Sequence, residues 1–280
     1  MLKKLLKYDW KSVSVLLLIL HGILLAYTLI GRIGIAFGLS RYGETLTGAA
    51  FEAYGIVSGI YILLYVFFIL AITITTYVFL AVRFHKNLFS DEGYLTHTLP
   101  VSPAKLMWSK ILVSWAWIAI DAFFVVASVL MLMLFKQTFE PFKNVVCEFF
   151  SILTGAYGMQ NQVFIILLIL TVLAQIFGCY TTLVLFSMCL GSLFKTHKIL
   201  GAVVSFFGIN IILSIVSTII MFAVPGWSSI GSVSVTAAAN GGFIGGENSI
   251  FLFTFIWNLA LAVLFFLGSR YILSKKLNLE

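Results

Sequence analysis

Charged side chains are scarce in this chain. Of its 280 residues only 10% are Asp, Glu, Lys or Arg, whereas 61% are hydrophobic, and the mean hydropathy is +1.11. Soluble domains carry about 25% charged residues, so this composition excludes an ordinary soluble enzyme or binding domain. It indicates instead a chain that lies mostly within a membrane.

Cysteine is rare as well, and two of the three cysteines, Cys179 and Cys189, lie inside one apolar run. This arrangement indicates no disulfide framework. No cluster of His, Cys and carboxylate residues has the spacing of a metal site. The net charge of +7 is not a nucleic-acid-binding signature, because the basic residues stand at the ends of apolar runs, where they would meet anionic lipid headgroups.

Six apolar runs are each long enough to cross about 30 Å of hydrocarbon. They predict an all-α, polytopic membrane protein that forms a single transmembrane domain over residues 1–280. The predicted spans are approximately 13–37, 56–82, 111–135, 162–190, 199–224 and 250–273.

The positions of Lys and Arg predict the orientation of these spans, because cytoplasmic loops carry an excess of basic residues. With the N-terminus inside, thirteen of the seventeen basic residues are cytoplasmic, and four are outside: Arg32, Arg41, Lys136 and Lys143. Both termini are therefore predicted to be cytoplasmic. The outer connection between Lys136 and Asn161 is a candidate for a surface helix.

The first eleven residues, MLKKLLKYDWK, place Leu2, Leu5, Leu6 and Trp10 on one helical face and lysines on the others. This pattern predicts an interfacial helix on the inner leaflet. The alternative is a basic flank that only orients the first span.

The connection between the second and third spans, residues 83–110, holds the densest group of ionisable residues. Ser102 is a good N-cap, and Pro103 suits the first helical position, where a missing N–H costs nothing. Val101 and Leu106 can form a hydrophobic staple. A helix is therefore predicted to start at Pro103 and to run directly into the third span.

A shorter helix is predicted upstream, from about Ser90 to Thr98. Ser90 can cap it, and Asp91 and Glu92 suit the positive end of its dipole. The helix ends before Pro100, because the residue preceding a proline avoids the helical region. Its apolar face would comprise Tyr94, Leu95, Thr98 and Leu99. The predicted element is a short amphipathic helix followed by a turn and a long helix. Such an element can transmit a force from a cytoplasmic partner to a membrane span.

Three pieces of this connection, Glu92-Gly93-Tyr94-Leu95, Leu99-Pro100-Val101-Ser102 and Lys110, resemble the coupling segment of ABC-2 type exporter permeases. A weaker similarity covers Gly191 to Gly201. The resemblance implies that the segment docks into a groove on an ATPase subunit. The residues it assigns to coupling are Ser90, Asp91, Glu92, Gly93, Tyr94, Leu95, Thr98, Leu99, Pro100, Ser102 and Pro103.

The chain has no P-loop of its own: in the best candidate, Gly191 to Lys198, Phe194 precedes Lys195 where a P-loop requires glycine. We therefore expect no enzymatic activity in this chain. The resemblance implies that ATP and magnesium bind a separate ABC ATPase subunit and that a second permease subunit, identical or related, completes the transporter. It also implies small peptide cargo such as antimicrobials, and the apolar, aromatic-rich interior favours amphipathic peptides or other hydrophobic cargo. We expect the protein in a bacterial cell membrane. Residues 225–249 are expected to form an ordered outer cap, as in the family that the chain resembles, and the alternative is a flexible outer loop.

Polar groups within the spans are the remaining candidates. Asp121 lies ten residues into the third predicted span, roughly 15 Å deep, where an unpaired charge costs roughly 2.5–3.5 kcal/mol. Ser114 and Ser128 share its helical face, and His21 lies at similar depth in the first span. These four residues are candidates for a translocation path or a subunit interface. Gln175, Asn210 and Asn258 are expected only to form hydrogen bonds between helices.

Two other functions stay open from the residues alone. A membrane protein without an ATPase partner could transport protons through Asp121 and His21. A sensor or immunity protein could bind peptide at the outer surface.

Overall fold

The structure, a computed structural model, is almost entirely helical over the residues that it describes, with no strand among them. The described residues are 2–42, 49–90, 92–93, 98, 101–133, 139–148, 162–194, 197–223 and 246–275. The main helices are α1 (Leu2–Tyr42), α2 (Ala49–Phe89), α3 (Pro103–Met133), α4 (Gln162–Leu173), α5 (Thr181–Gly191), α6 (Lys198–Ala223) and α7 (Gly246–Lys275).

Within these residues, six helices are long and apolar enough to cross a membrane. The predicted all-α class is therefore confirmed, and so is the predicted number of helices able to cross a membrane. The fourth span is continuous from α4 to α5, and a π-helical segment, Ala174–Tyr180, joins the two. The segments that have this length and composition are Lys3–Ala36, Glu52–Phe89, Pro103–Met133, Ile165–Gly191, Lys198–Ile220 and Ile250–Lys275.

Several helices extend past the predicted apolar runs. α1 and α2 have 41 residues each, about 60 Å at the rise of an α-helix, which is roughly twice the hydrocarbon thickness. α1 runs without interruption through Lys11, so the predicted interfacial residues belong to the same helix as the first span. An apolar run in the sequence predicts only the part of a helix that can lie in hydrocarbon. The backbone hydrogen bonds of a helix can continue beyond that run, so the helix can be longer than the run.

Two local predictions on the connections are confirmed. α3 begins at Pro103, and the Ser102 carbonyl accepts the N–H groups of Lys105 and Leu106 at 2.9 and 3.3 Å. The connection after the third span contains a helix at residues 139–148, on which Lys143 and Glu140 approach to 3.9 Å. Of the predicted cap over residues 225–249, residues 225–245 lie outside the described residues.

The chain forms two compact units, and the first contains residues 1–83 and 112–143. Its core has two apolar clusters where α1, α2 and α3 meet. One is built around Val13, Leu17, Val113 and Trp117. The other is built around Leu24, Tyr65, Ile72 and Leu132. Each helix contributes a narrow buried stripe and leaves aliphatic side chains on its outer face, as expected for helices in lipid.

Aromatic side chains reinforce the second cluster. The rings of Tyr27 and Tyr61 stack 5.0 Å apart, and the Tyr61 hydroxyl donates to the Tyr27 carbonyl at 3.0 Å. The Tyr65 hydroxyl lies 2.7 Å from the Ser128 hydroxyl, and Ser128 Oγ in turn donates to the Val125 carbonyl at 2.8 Å. This chain connects α2 to α3 through groups that are buried from solvent.

We expect Ser128→Ala to lower the free energy of unfolding by about 1 kcal/mol, because it removes the partner of the buried Tyr65 hydroxyl. Tyr65→Phe should have a similar effect, and the double variant should lose no more than the larger single loss. Unfolding by sodium dodecyl sulfate in mixed micelles measures all three. Additive losses would show that the two hydroxyls do not interact.

The second unit contains residues 84–111 and 144–280. Cys179, Leu183 and Phe265 form a buried cluster between the fourth span and α7, with Phe206, Ile209 and Leu213 of α6 packed against it. Gly191, the last residue of α5, packs closely against the first residues of α6. A Cβ atom built there would lie 2.5 Å from the Ala202 nitrogen and 2.6 Å from the Lys198 carbonyl oxygen.

Candidate functional site

In the first unit, the structure brings together two of the residues proposed for a translocation path. His21 Nε2 of α1 lies 3.0 Å from Asp121 Oδ1 of α3. The two residues are only 1% and 4% exposed. His21 Nδ1 lies 2.6 Å from the Leu17 carbonyl oxygen one turn earlier on α1. The imidazole is thus held at both nitrogens.

These contacts limit where the protons are. A carbonyl oxygen only accepts hydrogen bonds, so Nδ1 must carry a proton. One further proton then lies between Nε2 and Asp121 Oδ1. If it is on the imidazole, the pair is a cation with a carboxylate, and if it is on the carboxyl group, both residues are neutral. The pair is neutral overall in either case, which explains how an acidic side chain is tolerated inside a span.

Thr76 of α2 completes this polar network, because its hydroxyl donates to Asp121 Oδ1 at 3.3 Å. Sequence reasoning missed Thr76, which is one of several threonines in the same apolar run and carries no distinguishing signal. Of the two serines on the Asp121 face, Ser128 is buried and bonds to Tyr65, whereas Ser114 is half-buried. His21, Thr76 and Asp121 therefore form one cluster, which the two serines do not join.

The connection between the second and third spans belongs to the second unit from Phe84 onward. The Asn87 side-chain amide is oriented so that both its nitrogen and its oxygen form hydrogen bonds. Nδ2 donates to Glu92 Oε2 at 2.6 Å, and Oδ1 accepts from Lys110 Nζ at 2.7 Å. Asn87 of α2 thereby links the predicted coupling segment to the first turns of α3.

Burial in this region is one-sided. The side chains of Leu88, Phe89, Leu106 and Met107 are at most 3% exposed. By contrast, Glu92, Thr98, Ser102 and Lys105 are exposed. The described residues of this region therefore have buried apolar side chains and exposed polar ones.

Ser90 makes a different bond from the one expected. Its hydroxyl donates to the Lys86 carbonyl at 2.5 Å, so it completes the last turn of α2, and its own carbonyl accepts the Gly93 N–H at 2.6 Å. Glu92 and Gly93 are helical. The other predicted docking residues, Asp91, Tyr94, Leu95, Leu99 and Pro100, lie outside the described residues.

A second polar site, in the second unit, surrounds the π-helical segment of the fourth span. A pocket of about 360 Å³ is bounded by this segment, α6 and α7. Its polar lining residues include Gln175, Asn210 and Asn258, which were expected only to form hydrogen bonds between helices. Asn210 Nδ2 instead donates to the Phe206 carbonyl of its own helix at 2.8 Å. Asn258 Nδ2 is buried and has no partner among the described residues.

The π-helical segment was not predicted, since no residue pattern distinguishes it from an α-helix of the same composition. Its end is stabilised by two threonines. Thr181 Oγ1 donates to the Ile176 carbonyl at 3.2 Å, and Thr182 Oγ1 to the Gly178 carbonyl at 2.7 Å. These hydroxyls add hydrogen bonds to backbone carbonyls at the point where the helical register changes.

No family model, curated protein or solved structure matches this chain. Within the described part of the chain, no group of three His, Cys, Asp or Glu residues is placed to hold a metal ion. Function is therefore inferred from three features: the cluster of His21, Thr76 and Asp121, the connection between the second and third spans, and the pocket beside the π-helical segment.

Proposed function

We propose that this protein is the transmembrane permease subunit of an ATP-driven ABC exporter of the ABC-2 type. Two such subunits, identical or related, would form the translocation path, and separate ABC ATPase subunits would bind ATP and magnesium. The cargo would be amphipathic peptides or other hydrophobic molecules moved out of a bacterial cell. The observation that carries this proposal is the connection between the second and third spans.

Three features of that connection support a coupling role. Its motifs resemble those of the exporter family, a helix starts at Pro103 and continues as the third span, and Asn87 links Glu92 to Lys110 across the ends of α2 and α3. A force applied to the exposed side would therefore reach both helices. A loosely attached loop would absorb such a force.

The proposal also requires this connection to be cytoplasmic. The distribution of basic residues favours that orientation, and with six spans both termini would lie on the same side. The first turns of α1, with Lys3, Lys4, Lys7 and Lys11, would then lie at the headgroups of the inner leaflet. Helix 139–148 would lie outside the cell.

The test is co-purification. The tagged protein is extracted from membranes of its own source in a mild detergent, and co-purified chains and ATP hydrolysis are measured. We expect a P-loop ATPase in roughly equal amount. Combined replacement of Tyr94, Leu95 and Leu99 with glutamate should reduce its recovery more than tenfold, because buried apolar anchors carry most interface energy.

Val145→Glu is the matched control, because Val145 is 64% exposed on the helix proposed to lie outside the cell. It adds a charge at an apolar surface position and should leave ATPase recovery unchanged. Equal recovery with the triple variant would show that the docking assignment is wrong. An absence of any ATPase from the wild-type preparation would favour a protein that works alone.

One observation favours a second candidate, a proton-linked transporter without an ATPase. The hydrogen bond between His21 and Asp121 holds one proton that either residue can carry, and such buried pairs occur in proton relays. Transport by the purified protein in liposomes, driven by a pH gradient and without ATP, would support this alternative.

A further inference from the structure

We propose that the π-helix pocket is a binding site within the membrane for an apolar molecule that carries an uncharged amide group. The pocket is lined by the π-helical segment, α6 and α7, which all belong to the second unit. Its volume of about 360 Å³ lies within the range of small-molecule sites. This inference deepens the proposed export function, on which it rests, by naming a ligand class.

The wall of the pocket offers both hydrogen-bond donors and acceptors. Asn258 lines the pocket and is 3% exposed, and its Nδ2 is buried with no partner among the described residues. A turn of the side chain towards the pocket would let this donor bind a ligand oxygen. Gln175 of the π-helical segment adds a second side-chain amide. A buried donor without a partner is costly, and its presence in a pocket wall indicates a site completed by another molecule.

The hydroxyl groups of the pocket act mainly as acceptors. The hydroxyls of Ser217, Thr218 and Thr254 donate to carbonyls of their own helices at 2.7, 2.8 and 2.8 Å. Their protons are thus already used, and only their oxygen lone pairs remain. A ligand that binds these oxygens must offer a hydrogen-bond donor, and a ligand that binds Asn258 Nδ2 must offer an acceptor. An amide group offers both, with its N–H as the donor and its C=O as the acceptor.

Charge and shape restrict the ligand further. None of the described residues that line the pocket is ionisable at neutral pH, so a charged ligand group would lose its hydration without gaining a counter-charge. Trp257, Leu213 and Leu261 supply an apolar surface beside the polar groups. The expected ligand is therefore amphipathic and uncharged at its polar part.

The π-helical segment provides a physical reason for the site to lie here. A π-helix places its residues in a register that an α-helix cannot, and such segments occur often at functional sites. In this protein the segment contributes Gln175, Cys179 and Tyr180 to the pocket. In a regular α-helix Gln175 and Cys179 would still share a face, so the change of register matters chiefly for Tyr180.

The experiment uses the purified full-length protein in lipid nanodiscs and three nitroxide probes with the same dodecyl chain. The first joins the chain to the nitroxide ring by an amide, the second by an ester and the third by a quaternary ammonium. The immobilised fraction in the electron paramagnetic resonance spectrum measures binding, and saturable quenching of Trp257 fluorescence locates the probe. We expect saturable binding of the amide probe, about threefold weaker binding of the ester, which lacks a donor, and more than tenfold weaker binding of the ammonium probe.

Two variants test the assigned donors. Asn258→Leu and Gln175→Leu should each weaken binding of the amide probe about three- to tenfold. Leucine at position 258 breaks no hydrogen bond made by Nδ2, so thermal stability should stay the same or rise. Thr75→Val, which removes an exposed hydroxyl of α2 outside the pocket, should bind as the wild type does. Trp257→Phe should abolish the saturable quenching.

Three results would overturn the inference: probe uptake that rises linearly without saturation, equal affinity for the amide and ammonium probes, or unchanged affinity in both leucine variants. The Tyr94, Leu95 and Leu99 glutamate variant should bind the amide probe normally. Loss of ATPase docking and loss of ligand binding are therefore separate outcomes.

Discussion

Asp121→Leu is expected to destabilise the first unit strongly. The change leaves His21 Nε2 and the Thr76 hydroxyl without their partner in a buried site. Removal of one member of a buried hydrogen-bonded pair costs about 3 kcal/mol, because the remaining polar groups stay desolvated. Unfolding by sodium dodecyl sulfate in mixed micelles should show the loss directly.

Asp121→Asn is the matched control for this prediction. An asparagine Nδ2 can donate to His21 Nε2 while His21 Nδ1 keeps its proton and its bond to Leu17, so the pair remains neutral. We expect a loss of about 1 kcal/mol. A similar loss in both variants would show that the His21 contact contributes little to stability.

The same asparagine variant separates the two candidate functions. In an ATP-driven exporter, Asp121→Asn should keep ATP hydrolysis within about twofold of the wild type across neutral pH, because the residue then has a structural role. In a proton-linked transporter the variant should lose transport, since the amide cannot exchange the proton that the carboxyl group carries.

Gly191→Ala is expected to produce the second large effect. The added Cβ would lie 2.5 Å from a backbone nitrogen and 2.6 Å from a carbonyl oxygen, and neither backbone atom can rotate away. Overpacking of this kind costs about 2–3 kcal/mol. The loss should appear in the unfolding free energy of the protein in micelles.

Gly208→Ala provides the control, because Gly208 lies in the middle of α6 and a Cβ atom added there would have no neighbour within 4 Å. Alanine there should be neutral or stabilising by about 0.5–1 kcal/mol, since it restricts the unfolded chain and favours the helix. Equal effects of the two substitutions would contradict the close packing of α5 on α6.

Local features of this protein follow from the order of its residues. The six spanning helices are predictable because each needs a long apolar run, and the run is visible in the chain itself. The start of α3 is predictable because Ser102 and Pro103 have strong positional preferences. The need of Asp121 for a partner is equally local, because an isolated charge is costly in hydrocarbon.

The partners themselves were decided only by the tertiary structure. His21 and Thr76 meet Asp121 because three helices pack with particular faces inward, and hydropathy does not reveal which face of an apolar helix is inward when lipid and protein are equally apolar. For the same reason the pocket around Gln175, Asn210 and Asn258 was not foreseen. Whether an amide deep in the membrane bonds to a neighbouring helix or remains available to a ligand depends on distances between helices, which the residue order alone does not contain.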